Sequence, residues 1–183
     1  VNGATARYVE YIMGSLNTDS SICYSGVAAN GTFGGLTHLI GETVYVVADG
    51  ERLPNRVVSS AGEIELGTND SWTNIEIGLP YSHKIWLLNP EFGHSLGAAS
   101  GSIRRYASAS FFLIDSVSLT VDGSNYSLRK ITNYDLAPTP ATQFAFVTLD
   151  HDPERDLIVK IEDDDPFDFT LAGVVFDQTT GEG

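Results

Sequence analysis

A chain of 183 residues with ten Lys and Arg against 24 Asp and Glu carries a formal net charge of −14, and by size it can bury roughly 70% of its unfolded surface in one domain or two small barrels. Eighteen glycines and a charged fraction of only 19%, with frequent Ser and Thr, mark a turn-rich β protein, and the acidic balance opposes binding to nucleic-acid phosphates. The single cysteine, Cys23, excludes an internal disulfide and a cysteine-rich metal site, and no apolar run reaches the length of a membrane span.

The chain opens at Val1 without a methionine and without a basic, apolar leader, so it reads as a fragment or processed product that is soluble and unexported. Thr5 to Met13 is expected to form a short helix, capped by Thr5, with Tyr8, Tyr11 and Ile12 at helical spacing. Ile22 to Ser25 is a short strand, and Gly26 to Gly35 a glycine-rich loop. Val44 to Val47 then favour extended backbone, because branched and ring side chains pack on a pleated surface and crowd a helical turn. Asp49-Gly50 supplies the positive φ of a tight hairpin, returning the chain through Glu51 to Ser59.

Ile64 and Leu66, and then Ile75, Ile77 and Leu79, alternate with polar residues as half-buried strands. Pro80-Tyr81 turns the chain into an apolar strand, Ile85 to Leu88, which stops at Asn89-Pro90. Little apolar bulk anchors the glycine-rich Gly93 to Ser102, which is therefore expected to be a linker and hinge. On this reading residues 1–32 are a lead-in, 33–92 a small β-barrel or sandwich, and 103–183 a second antiparallel β domain. In that second domain Ile103 to Val121 is one long β region, and Asp122-Gly123 turns it into Tyr126 to Ile131. Thr132 to Pro140 is a loop, followed by strands opening at Phe144 and Phe146, at Leu157 to Ile161, and at Phe169 to Phe176. No internal repeat stands out.

Chemistry has few footholds. His38 sits after a Gly-Gly loop, with no second His or Cys at metal spacing, and is expected to hydrogen-bond a neighbouring turn; His83, His94 and His151 are read the same way. Ser25 and Ser82 lack the Gly-x-Ser-x-Gly elbow of a serine hydrolase. Eleven acidic residues follow from Asp150 onward against Arg155 and Lys160. Asp150, Asp152, Glu162, Asp163, Asp164, Asp165 and Asp168 have the chemistry of a calcium site or of a glycosidase's paired carboxylates. They match no calcium-loop pattern, and adjacent carboxylates on a strand point to opposite faces. The plainer reading is a solvated acidic turn. Trp72, Tyr81 and Trp86 are either a sugar-stacking platform or core and interface anchors.

Several segments, in order, carry a family resemblance. ARYVEYIM, SSICYSG, GLTHLIGETVYVVADGERLP, NRVVSSAGEIEL, NIEIGLPYSHKIWLLNP, GSIRRYASASFFLIDSVSLTVDG and DLIVKIEDDDPFDFTLAGVVFD together resemble the C-terminal part of the tail tubular protein B, or nozzle, family of short-tailed bacteriophages, over roughly Ala6 to Asp177. The resemblance implies a β-rich, non-enzymatic virion component without catalytic residue, metal or cofactor. In that family six copies form a tapering tube that meets adaptor proteins, retains the genome and passes DNA without gripping it. No membrane contact is implied, and assembly takes place in the host cytoplasm. Members are several times longer than this chain. It also implies that some of the Asp150 to Asp168 carboxylates face the channel or a subunit seam, with the long strands Ile103 to Val121 and Phe169 to Phe176 as candidates for subunit pairing. A carbohydrate-binding tail or adhesin module is the alternative, and a glycan hydrolase comes third.

Overall fold

The computed structural model describes residues 16–26, 31–67, 72–88, 93–94, 97–98, 103–129, 136–155 and 157–180, with backbone alone at 93–94, 97–98, 104 and 178–180. The expected helix from Thr5 to Met13 lies outside the described residues. The protein is all-β and divides into two compact units, Val1–Tyr81 and Ser82–Gly183.

In the first unit the strands are β1 (Asp19–Ser25), β2 (Thr32–Gly34), β3 (Thr43–Ala48), β4 (Glu51–Val57), β5 (Glu63–Glu65) and β6 (Asn74–Leu79). They build a four-stranded antiparallel sheet in the order β1-β6-β3-β4 and a two-stranded sheet β2-β5. Leu36, Leu39, Val44, Val46 and Ile77 fill its core, with Phe33 and Ile64 from the small sheet. Asp49 and Gly50 adopt φ of 46° and 84°, the paired left-handed geometry of the two-residue hairpin. The strand expected at Ile22 to Ser25 is present within β1, and it forms an edge of this sheet rather than a lead-in outside the domain.

The second unit contains β7 (His83–Leu87), β8 (Gly93–His94), β9 (Gly97–Ala98), β10 (Arg104–Ser116), β11 (Ser118–Val121), β12 (Ser124–Ser127), β13 (Ala141–Thr148), β14 (Val159–Asp163) and β15 (Thr170–Thr180). One sheet runs β7-β14-β11-β12, another β13-β10-β15, and β8-β9 is a short ladder. Tyr106, Phe111, Leu113, Leu119 and Ile161 lie fully buried between them, and Tyr106 stacks on Phe176 at 4.6 Å. The division falls between Tyr81 and Ser82 rather than in Gly93 to Ser102. Strand β7 pairs with β14 along its whole length, so Pro80-Tyr81 and not the glycine-rich stretch is the punctuation. The long β region Ile103 to Val121 is also interrupted. Asp115 takes φ 46°, the register slips between Leu113 and Ser116, and the chain crosses from the sheet of β10 to that of β11. Buried Ser116 holds this corner, donating to the Ile114 carbonyl at 2.9 Å and accepting from the Thr170 N–H at 3.0 Å.

The two units share one connectivity. In each, a first strand (β1 or β7) lies at the edge of a four-stranded sheet, a hairpin (β3-β4 or β11-β12) lies at the other end, and the last strand to be made (β6 or β14) inserts between them. A second sheet pairs the strand before the hairpin with the strand after it, β2 with β5 and β10 with β13. Even the turn is fastened alike. Asp49 N–H donates to the Asn74 carbonyl at 2.9 Å while its Oδ1 accepts from Asn74 N–H at 2.8 Å. Asp122 N–H donates to the Lys160 carbonyl at 2.9 Å while its Oδ1 accepts from Lys160 N–H at 3.0 Å. The absence of a repeat in the sequence is therefore not an absence in the backbone: beyond Val/Ala-Asp-Gly, alternation can be met by many residues.

Candidate functional site

The acidic stretch is divided by its surroundings. Strand β14 ends at Asp163, so the alternation that separates neighbouring side chains lapses there, and Asp163, Asp164 and Asp165 each bring one oxygen within 4.8 Å of the others. This corrects the expectation that adjacent carboxylates diverge. Asp163 is buried and accepts from Ser118 Oγ at 3.2 Å and from Asp165 N–H at 3.0 Å. The remaining candidates stay outside the group. Glu162 pairs with Lys84 at 3.3 Å across β7 and β14, exposed Asp150 lies 3.8 Å from Arg105, and Asp152 and Asp168 are exposed. Such exposed pairs contribute about 0–1 kcal/mol. Hydrogen bonds within this turn account for its geometry, and the three carboxylates by themselves specify no ion.

The histidines have structural partners. His38 Nε2 lies 2.9 Å from the Ser20 carbonyl, fastening the 3-10 turn Thr37–Leu39 to β1, so its partner is a strand residue rather than the expected neighbouring turn. His151 Nε2 lies 2.9 Å from Asp122 Oδ2, at the hairpin of β11 and β12. His83 stacks on Phe169 at 5.0 Å, and the side chain of His94 is outside the described residues. Cys23 is an exposed free thiol, and desolvation, then the Glu76 carboxylate, push its pKa up, away from the thiolate that nucleophilic chemistry needs. A cleft of about 210 Å³ is bounded by Leu128, Arg129, Ala137, Pro140 and Gln143, with Arg129 its one titratable side chain among the described residues.

The three aromatic candidates separate. Trp72 packs, partly buried, against the core of the first unit, an anchor rather than a platform. Tyr81 is exposed at the end of that unit. Trp86 is 62% exposed on β7. Lys160 lies across the strand pair with its Nζ 5.9 Å from the indole centroid, and Leu88 and Ile158 extend the same open face.

A larger surface lies on the sheet β13-β10-β15. One face carries Ala109, Phe111, Leu113 and Val147 into the core. The other presents two cross-strand rows, Phe146-Ser110-Val175 and Phe144-Phe112-Gly173. Phe146 is 78%, Val175 65% and Phe144 52% exposed. The rings form a continuous stack, with centroids 4.8 Å apart for Phe112 and Phe144 and 6.4 Å for Phe144 and Phe146. Among the described residues, β13 and β15 have no strand on their outer edges. Sequence reading places strands here but not their outward side, because Phe-Ala-Phe-Val is apolar at both parities and small Ala145 rather than Phe144 fits the packed interior.

The chain matches no protein-family model and no curated protein.

Proposed function

We propose that this chain is a non-enzymatic structural component of a phage tail tube, part of an oligomeric conduit that retains and then releases a genome, as the tail tubular protein B resemblance implies. The observation that carries the reading is the open apolar sheet face whose edge strands β13 and β15 pair with no further strand among the described residues, which suits assembly surfaces. The charge of −14 supports it from another side, since a conduit wall that lets DNA slide does not hold phosphates with clustered cations. Its partners are further copies of itself, six in the full-length ring, and neighbouring adaptor proteins of the virion, assembled in the host cytoplasm. No helix among the described residues is long and apolar enough to cross a membrane.

The test is the mass of the chain by light scattering, alone and mixed with its full-length parent or an adaptor ring. Incorporation into a ring-sized species supports the reading. A chain that joins neither overturns it and turns attention to the second reading, a carbohydrate-binding tail module. That alternative is favoured by one observation, the bared indole of Trp86 beside Lys160, and glycan-array binding lost in Trp86→Ala would establish it.

A further inference from the structure

The outer face of the sheet β7-β14-β11-β12 is amphipathic in a way that suits one kind of ligand. Ile85, Val159, Ile161 and Val121 turn towards the core, so alternation turns Lys84 and Trp86 of β7, Lys160 and Glu162 of β14 and Thr120 of β11 outward. Strand pairing sorts these into two neighbouring rows. One is polar: Lys84 lies opposite Glu162, the pairing of Val121 with Ile161 sets Thr120 next to Glu162, and Asn125 of β12 lies opposite Thr120. Lys84 Nζ lies 3.3 Å from Glu162 Oε1, and Asn125 Nδ2 donates to Thr120 Oγ1 at 3.0 Å. Spanning four strands about 4.8 Å apart, this line of polar groups is about 14 Å long. The second row lies two residues, about 6.6 Å, along the strands. It is headed by Trp86, 62% exposed, and the exposed side chains of Leu88 and Ile158 continue apolar beyond it.

A bared π face bordered by hydroxyl, amide, carboxylate and ammonium groups matches a pyranose ring, whose C–H face is apolar and whose rim is hydroxyl. Lys160 Nζ stands 5.9 Å from the indole centroid, at the outer limit of a cation–π contact, so a sugar ring stacking there displaces little. Charge narrows the class. Lys84 is neutralised by Glu162, and the carboxylate of Asp122 accepts from the Lys160 N–H at 3.0 Å. In a chain of net charge −14, such a face has no surplus of cations to hold an acidic sugar against the surrounding field. We infer that this face binds an uncharged glycan, with one ring stacked on Trp86 and neighbouring hydroxyls hydrogen-bonded along Lys84, Glu162, Thr120 and Asn125. This rests on the carbohydrate-binding reading and adds to it which sugars are held and how they lie. One stacked ring and a few water-exposed hydrogen bonds give a dissociation constant of about 0.1–1 mM.

The test follows the indole N–H signals of the full chain by nuclear magnetic resonance, with that of Trp86 assigned from Trp86→Ala. The probes are gluco-, manno- and galacto-oligosaccharides, and in parallel oligogalacturonate and a sialylated oligosaccharide. The Trp86 signal is expected to move with a member of the uncharged series and to stay in place with the acidic one. Trp86→Ala weakens binding at least about tenfold, and Glu162→Ala and Asn125→Ala each about three- to tenfold, the worth of one hydrogen bond. Melting temperatures are retained, because all three side chains lie on the outer face. Tighter binding of the acidic series overturns the inference while leaving the carbohydrate-binding reading in place. Uncharged sugar held equally by Trp86→Ala does the same, moving the site elsewhere. Binding that Trp86→Ala abolishes but that both Glu162→Ala and Asn125→Ala leave unchanged also overturns it. No binding in either series overturns the inference and the carbohydrate-binding reading together.

Discussion

Glu76 stands in the middle of β6, where strict alternation would turn it to solvent, yet it is only 8% exposed. Its Oε1 accepts from Asn17 N–H at 2.8 Å, Thr18 N–H at 2.7 Å and Thr18 Oγ at 2.6 Å. One carboxylate thus fastens the segment before β1 across the sheet. In Glu76→Ala the Asn17 N–H, being only partly buried, regains water, but the two Thr18 donors stay buried and unpaired. Each orphaned buried donor costs about 1–3 kcal/mol, and relief from burying the carboxylate returns part of that. The net expectation is a loss of about 2–4 kcal/mol. Glu76→Gln keeps one accepting oxygen and loses about half as much. Urea unfolding read by Trp72 fluorescence isolates this unit, provided Trp86 of the other unit is replaced by Phe. A shift below about 0.5 kcal/mol in Glu76→Ala, within the range of an ordinary surface substitution, would refute the assigned role.

Four further outcomes are expected. Phe111 is fully buried and Phe146 is 78% exposed, so Phe111→Ala lowers the stability of the second unit by about 3–5 kcal/mol, whereas Phe146→Ala changes that of dilute protein by no more than about 0.5 kcal/mol; denaturant midpoints distinguish the two. Backbone N–H groups of Thr73 and Asn74 hold the Asp49 carboxyl below its ordinary value of 3.8; its stabilising contribution is complete above that value and disappears as pH falls through the lower folded value. The stability difference between wild type and Asp49→Asn therefore shrinks on acidification below about pH 4, and a difference that grows would show the sign to be wrong. Gly123→Ala places a Cβ at φ +80° with nothing within 4 Å, costing about 1–2 kcal/mol from backbone strain alone, while Gly78→Ala drives a Cβ into the Thr18 hydroxyl and Asp19 carbonyl and couples non-additively with Glu76→Ala, as a double-mutant cycle will register.

Local chemistry was legible in the chain and long-range cover was not. Asp49-Gly50 and Asp122-Gly123 announce their hairpins because two residues suffice to set a turn. Strands such as Val159 to Ile161 announce themselves by alternation. Glu76 misleads, because alternation marks its parity but not that Asn17 and Thr18 fold over it. The unit to which edge strand β7 belongs is hidden in the sequence for the same reason: its hydrogen-bonding partner β14 lies more than seventy residues away. At the site, Asp163 to Asp165 converge because β14 stops, a boundary that sequence periodicity locates poorly. The bared phenylalanines of β13 were written in the sequence as a strand, but their outward side depends on which of two apolar parities the interior accepts.

Strand order within each unit has a consequence for synthesis. Because β6 and β14 enter between strands made earlier, neither four-stranded sheet can close until its last member leaves the ribosome. The first unit becomes foldable once Leu79 has emerged, while the second is still being translated. Until Asp163 follows, β7 and β11 wait with open flanks on a nascent chain whose growing excess of carboxylates keeps neighbouring chains apart.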